Sequence, residues 1–193
     1  AMADDAEALY ELSRRGKLAD VRALLDKGVP PDRHMGYDGS TALTIAARGG
    51  HAEVVKLLLE RGAALHMHTD DGSSPLVHAV SGGNVEAVKA VLEANADPNE
   101  QNEDGVTPLI LAADRGSLDV TQLLVAARAD VSTVAEDWGS ALDSAAAGGH
   151  NEVVAFLSAA GARPATGEEL ARERKVAAGE QWGYDAFDGE EEY

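Results

Sequence analysis

Histidine, serine and the carboxylates supply the chemistry available to this chain, because its 193 residues include no cysteine. Disulfides and thiolate metal sites are therefore excluded. His66 and His68 could bind a metal from one extended segment, but no third ligand has a suitable spacing, and we predict no metal site. Serine, histidine and aspartate also form no local arrangement of a nucleophile with its base. We therefore predict no catalytic residue, no cofactor and no enzymatic activity.

Charge and composition limit the partners. The net charge of −18 disfavours direct binding to nucleic acid and favours encounter with a basic partner. No apolar run approaches the roughly 20 residues that cross a bilayer, so we predict no membrane association. The absence of cysteine and of a secretory signal favours the cytoplasm or the nucleus, although the Ala1-Met2 start is also compatible with a removed targeting segment.

Four classes of position recur along the chain with one period of 33 residues. A fixed period of this length is typical of solenoid proteins built from stacked repeats. The equivalent residues are Leu43, Leu76, Leu109 and Leu142; Asp38, Asp71, Asp104 and Asp137; Gly50, Gly83, Gly116 and Gly149; and Val55, Val88, Thr121 and Val154.

Local signals inside each period predict two short helices. Asp-Gly turns at 38–39, 71–72 and 104–105 precede a serine or threonine that can cap a helix. Pro75 and Pro108 then fit the first helical turn. A glycine ends the first helix, and a second helix such as 53–60 follows.

Three residues depart from this pattern. Asn95 and Arg128 replace the glycine that ends the second helix. Since arginine adopts a left-handed backbone less readily than asparagine, we expect strain or an altered loop at Arg128. Trp138 stands where the turn glycine of the last period is expected.

These motifs resemble the ankyrin repeat. The segment 39–63 resembles that repeat almost throughout, and 104–113 matches its opening motif. The resemblance implies an all-α solenoid of about five stacked helix–turn–helix units with β-turn fingers and no true β-sheet. The implied boundaries are an N-terminal cap over 4–36, repeats over 37–69, 70–102, 103–135 and 136–162, and a C-terminal extension over 163–193.

The same resemblance implies a concave groove that is lined by finger tips and first helices. Exposed aromatic residues are favoured binding anchors, which points to Trp138. Ile45 and Leu111 are equally compatible with packing between helices, and His78 is expected on the groove surface. His51 and His150 are structural in the resemblance. The predicted protein-binding residues are Tyr37, Ile45, Arg48, Met67, His68, His78, Ser81, Leu111, Asp114, Arg115 and Trp138.

The C-terminal extension has its own pattern. Thr166 and Glu169 predict a capping box for a helix over 167–178. Four of the eight aromatic residues fall in the last twelve positions, which favours a docking segment over a merely solubilising tail. The end resembles the C-termini of α-tubulin and of microtubule end-binding proteins, which implies recognition by CAP-Gly domains. The predicted docking residues are Trp182, Tyr184, Phe187, Glu191, Glu192 and Tyr193.

Two functions remain open on this basis. In the first, the chain is a non-catalytic adaptor or escort chaperone that grips a basic protein in its groove. In the second, the repeats only carry the acidic-aromatic tail, and this tail is bound by a CAP-Gly-type domain or another partner.

Overall fold

The computed structural model describes residues 2–33, 36–166 and 169. These residues contain ten helices that follow one another as five pairs, which confirms the all-α solenoid, and none of the ten is long and apolar enough to cross a membrane. The first helices are α1 (Met2–Arg14), α3 (Ala42–Arg48), α5 (Pro75–Gly82), α7 (Pro108–Asp114) and α9 (Ala141–Ala147). The second helices are α2 (Leu18–Asp26), α4 (Ala52–Glu60), α6 (Val85–Glu93), α8 (Leu118–Ala126) and α10 (Asn151–Ala159).

Hydroxyl side chains start four of the first helices, as predicted. Each accepts a hydrogen bond from the backbone N–H three residues further on, which satisfies a donor that the helix cannot. Pro75 and Pro108 follow two of these caps at the first helical position. The bonds are Thr44 to Thr41 (3.3 Å), Val77 to Ser74 (3.4 Å), Ile110 to Thr107 (3.3 Å) and Asp143 to Ser140 (3.2 Å).

Left-handed residues end the second helices. Gly62 has a φ of 85°, and the non-glycine residues Asn95 and Arg128 have values of 65° and 68°. The loop at Arg128 is not altered, because Ala129 N–H donates to the Leu124 carbonyl at 2.9 Å, as in the equivalent glycine loop. Of the two expected outcomes, backbone strain is therefore the one that occurs, at a cost of about 1–2 kcal/mol.

First helices pack against first helices, and second helices against second helices, throughout the array. The first helices pack in the order α1, α3, α5, α7, α9, and the second helices in the order α2, α4, α6, α8, α10. The period of 33 residues places one leucine in each layer of the core, and Leu43, Leu76 and Leu109 are each 1% exposed. Such stacking is required because one helix pair cannot bury its apolar face alone.

Turns that we call fingers precede α3, α5, α7 and α9. Backbone hydrogen bonds join successive fingers: Asp70 N–H donates to the Asp38 carbonyl at 2.9 Å, and Glu103 N–H donates to the Asp71 carbonyl at 3.1 Å. Fingers one, two and three span 36–40, 69–73 and 102–106, and finger four spans 134–140.

Finger four differs from the others in the position of its left-handed residue. Gly139 has a φ of 70°, one position later than the glycines of the other fingers, and Trp138 does not have a positive φ. Trp138 therefore does not take the place of the turn glycine. Among the described residues, the flanking β1 (Val134–Ala135) and β2 (Gly139–Ser140) form the only strand pair. This two-residue antiparallel pairing is too short to be a true β-sheet, in agreement with the expected all-α fold.

Candidate functional site

Five of the predicted groove residues line one cavity of about 400 Å³ between the first helices and the fingers. We call it the central cavity. The period explains four of these five residues, because Arg48 and Ser81, and likewise His78 and Leu111, lie 33 residues apart and occupy equivalent places on neighbouring helices. The lining residues are Arg48, His78, Ser81, Leu111 and Trp138 from the prediction, together with Asp71, Ser73, Val77, Asn102, Asp104 and Val106.

The predicted apolar residues differ in their exposure. Leu111 both packs against the core and lines the central cavity, so the two interpretations of this residue are compatible. Ile45 and Met67 are half-buried and lie outside the cavity lining. Tyr37 is fully exposed at finger one, and Trp138 is 37% exposed at finger four. Trp138 is therefore the exposed aromatic residue that lines the central cavity.

The placement of His78 corrects the sequence prediction. We expected this histidine on the groove surface, whereas its side chain is buried at 5% exposure. Its Nε2 lies 3.0 Å from Thr69 Oγ1, and its Nδ1 lies 3.3 Å from Arg48 Nε. Because the Thr69 hydroxyl donates to Asp71, Nε2 carries the proton, and Nδ1 accepts from Arg48. Polar partners on both sides allow the burial.

The contacts of His78 belong to a longer polar chain that joins two fingers. Arg48 Nη2 also contacts Asp38 Oδ2 at 3.2 Å, and Thr69 Oγ1 lies 2.5 Å from Asp71 Oδ1. Side chains of finger one, α3, α5 and finger two are thereby linked in series. The charge of Arg48 is offset by this chain, which makes the arginine less available to a ligand.

Burial sets the ionisation of this chain. Burial, helped by the neighbouring Arg48 cation, lowers the pKa of His78 to about 4, although Asp71 and Asp38 act in the opposite direction. Hydrogen bonds, first of all from the Ser40 hydroxyl, hold the pKa of Asp38 below its usual range. Burial raises the pKa of Asp71, but hydrogen bonds within its own finger outweigh that effect. At neutral pH this series of linked polar side chains therefore contains the neutral imidazole of His78, the cation of Arg48 and the carboxylates of Asp38 and Asp71.

Acidification from pH about 7.5 to about 5 is expected to remove about 2 kcal/mol of stability through His78. Its pKa of about 4 in the folded chain lies below the ordinary 6.5. The unfolded chain therefore takes up the proton first as the pH falls below 6.5, and the loss continues to about pH 4. Urea denaturation of the wild type and of His78→Leu at both pH values measures the difference, since leucine occupies the equivalent position 111. Equal losses in the two proteins would contradict the assignment.

The remaining predicted polar residues contact neighbouring units. His68 Nε2 lies 2.6 Å from Glu100 Oε1, and Arg115 Nη2 donates to Ser81 Oγ at 3.2 Å. Asp114 is exposed. Within the described residues, no group of three histidine, aspartate or glutamate side chains is placed to hold a metal ion.

His51 and His150 connect helix pairs, as the resemblance implied. His51 Nε2 lies 2.9 Å from the Arg14 carbonyl oxygen at the end of α1, and His150 Nε2 lies 2.8 Å from the Asp114 carbonyl oxygen at the end of α7. Each imidazole thus bonds to a carbonyl that the helix itself leaves without a partner.

Sequence reasoning missed the acidic side of the central cavity. Asp71 and Asp104 were assigned to turns, although both also line the cavity. One signal could have identified Asp104: Val106 replaces the serine that stands two residues after the turn aspartate in fingers one and two. A valine side chain offers the carboxylate no hydroxyl donor.

The described part of the C-terminal extension ends in the predicted capping box. Thr166 N–H donates to Glu169 Oε2 at 2.7 Å, and Glu169 N–H donates to Thr166 Oγ1 at 3.2 Å. Apart from Glu169, the helix predicted over 167–178 lies outside the described residues, and so do the tail residues Trp182, Tyr184, Phe187, Glu191, Glu192 and Tyr193.

Comparison with known families agrees with this architecture. A family model described as ankyrin repeats (3 copies) matches residues 9–102 and again residues 91–167. The two matches together cover most of the chain. A search of curated proteins finds no match.

Proposed function

Because this chain belongs to the ankyrin-repeat family, whose repeats are protein–protein interaction modules, we propose that it acts as an adaptor or escort chaperone. The partner protein binds across the fingers and first helices, and no reaction is catalysed there. The observation that carries the proposal is the central cavity, which presents Trp138 beside polar and apolar residues of three repeats. Aromatic side chains at such positions are favoured anchors of protein interfaces. The proposed location is the cytoplasm or the nucleus.

Charge supports a basic partner. Between residues 62 and 114 the sequence contains a single lysine or arginine, Lys89, which lies on the second helix α6. Over the same span, fingers two and three carry several carboxylates, which attract cationic surfaces. These carboxylates belong to Asp70, Asp71, Glu103 and Asp104, with Glu100 shortly before finger three.

Replacing both Trp138 and Met67 by alanine is expected to weaken partner binding by about 1–3 kcal/mol in total. Both side chains reach the surface, Trp138 at 37% exposure and Met67 half-buried, so the melting temperature should change little. Affinity capture with quantitative mass spectrometry identifies the partner, and titration of the purified partner gives the loss. A collapse of the fold with intact binding per folded molecule would assign both residues to the core and exclude the groove.

The second candidate function places recognition in the tail, and the terminal Glu191-Glu192-Tyr193 supports it. A chain that ends at Gly179 separates the two candidates in the same capture experiment. Loss of every partner on this truncation would favour the tail, whereas retained partners favour the groove. Deletion of Tyr193 alone, titrated with an isolated CAP-Gly domain, tests the microtubule-type interpretation.

A further inference from the structure

We propose that the central cavity is an arginine subsite, in which a guanidinium group from an extended segment of the partner lies between the Asp104 carboxylate and the Trp138 indole. This inference rests on the proposed function and specifies the chemistry that the groove recognises. It depends on three features of the described residues. One carboxylate has no partner among them, one indole is exposed at the same cavity, and three apolar side chains are among the other residues that line the wall.

The turn aspartates of the first two fingers are occupied by their own fingers. Asp38 accepts hydrogen bonds from the backbone N–H and the hydroxyl of Ser40, at 3.1 and 2.5 Å. Asp71 accepts the equivalent bonds from Ser73, at 3.1 and 3.0 Å. These carboxylates stabilise turns, and Asp38 is also paired with Arg48. Neither is therefore a strong candidate for binding an external cation.

In finger three a different side chain stabilises the turn, so the turn aspartate, Asp104, does not accept these hydrogen bonds. Asn102 Oδ1 accepts the backbone N–H groups of Asp104 at 3.1 Å and of Val106 at 2.9 Å, so the asparagine stabilises the turn. The Asp104 carboxylate makes no hydrogen bond or ion pair with any other residue that the structure describes. It nevertheless lines the central cavity. Asp104 is thus a carboxylate with free acceptors at the wall of a cavity.

Trp138 supplies an aromatic face to the same cavity. The Ser144 hydroxyl donates to the Trp138 carbonyl at 3.1 Å, and the left-handed turn position falls on Gly139, so Trp138 needs no positive φ. A guanidinium group stacks on an indole face and pairs with a carboxylate through a planar fork. An ammonium group lacks that fork, so the arrangement favours arginine over lysine.

The rest of the cavity suits the arginine stem and leaves the site negative. Val77, Val106 and Leu111 line it with apolar side chains, against which methylene groups can pack. Arg48 is the one arginine or lysine among the described lining residues, and its guanidinium is already bound to His78 and Asp38. The carboxylates of Asp71 and Asp104 line the same cavity, so its charge is negative overall.

The test uses the full chain and a capped peptide, Gly-Ser-Gly-Arg-Gly-Ser-Gly, with lysine and citrulline versions as controls. Indole N–H signals in ¹⁵N-correlation spectra report binding, and Trp138→Phe distinguishes Trp138 from Trp182. The arginine peptide is expected to shift the Trp138 signal saturably and to bind about tenfold more tightly than the citrulline peptide. An unmoved Trp138 signal, or equal affinity for arginine and citrulline, would overturn the proposal.

Two matched variants separate a local site from the overall charge. Asp104→Asn is expected to weaken arginine binding by about fivefold or more. Asp119→Asn makes the same chemical change in the first turn of α8, in a separate depression, and should stay within about twofold. Equal weakening by the two variants would mean that only net charge matters. An unchanged melting temperature for Asp104→Asn keeps the comparison valid, since this exposed carboxylate supports no contact in the described part of the fold.

The outcome can be distinguished from that of the proposed function. If the captured partner still needs Trp138 and Met67 while the peptide leaves the Trp138 signal unmoved, the groove binds protein and the arginine subsite is wrong. If the peptide binds as expected while the captured partner tolerates loss of both side chains, the subsite holds and the groove function fails.

Discussion

Leu109→Ala is expected to lower the free energy of unfolding by about 2–5 kcal/mol. Leu109 is 1% exposed and belongs to the leucine class that fills every layer of the core. Its loss leaves a cavity on α7, whose neighbours α5 and α9 cannot close it without moving the stack. Urea denaturation followed by circular dichroism measures the loss.

Leu111→Ala is the matched control on the same helix. Leu111 is only half-buried and opens onto the central cavity, so its replacement should cost about 1 kcal/mol of stability and should reduce partner binding. The two leucines therefore separate core packing from recognition within three residues of sequence. Equal destabilisation by both substitutions would show that the cavity wall is part of the core.

Gly82→Ala is expected to destabilise the array by about 1–3 kcal/mol, although alanine is the better helix former. The first atoms that an added Cβ would meet are the backbone carbonyl oxygens of Arg48 and Ala47, the latter at 2.8 Å. Backbone atoms cannot rotate away as a side chain can, so α3 and α5 would have to separate. Thermal and urea denaturation give the change in stability.

Arg115→Ala provides the comparison, because Arg115 occupies the equivalent position one period later. A side chain is already accommodated there, and the change should stay within about 0.5 kcal/mol. A stabilised Gly82→Ala would show that helix propensity dominates and that the close approach of α3 to α5 relaxes at little cost.

The solenoid could be predicted because its signals are local and repeat. Thr41, Ser74 and Thr107 carry capping hydroxyls, and the equivalent leucines and turn glycines recur at the same interval. Each signal is weak alone, but agreement among several position classes at one period identifies the fold. The meeting of Arg48 with Ser81, and of His78 with Leu111, at one cavity results from the same period of 33 residues.

The errors concern side chains whose environment depends on neighbouring units. His78 is buried because Arg48 and Thr69, from another helix and from a finger, satisfy both of its ring nitrogens. The place of Trp138 depends on which residue turns left-handed, and Gly139 takes that role. Neither the pairing of polar groups across repeats nor a shift of one residue in a turn is fixed by sequence spacing.

The free carboxylate of Asp104 was missed for a related reason. A period analysis groups Asp38, Asp71 and Asp104 together by residue type, whereas their roles differ with the side chain two positions further along the chain. Ser73 supplies a hydroxyl to its aspartate, and Val106 cannot. Departures from a repeat are thus more informative about function than the positions that agree with it.

The stacking of each helix pair on its sequence neighbours bears on the synthesis of the chain. All the extensive contacts between the described helices lie within a pair or between successive pairs. A pair can therefore dock as soon as it leaves the ribosome, on a surface that the preceding pair already presents. Apart from one another, the helices of the second pair, α3 and α4, contact extensively only the pairs before and after them, so folding can proceed from one pair to the next with little apolar surface left exposed until a distant segment arrives.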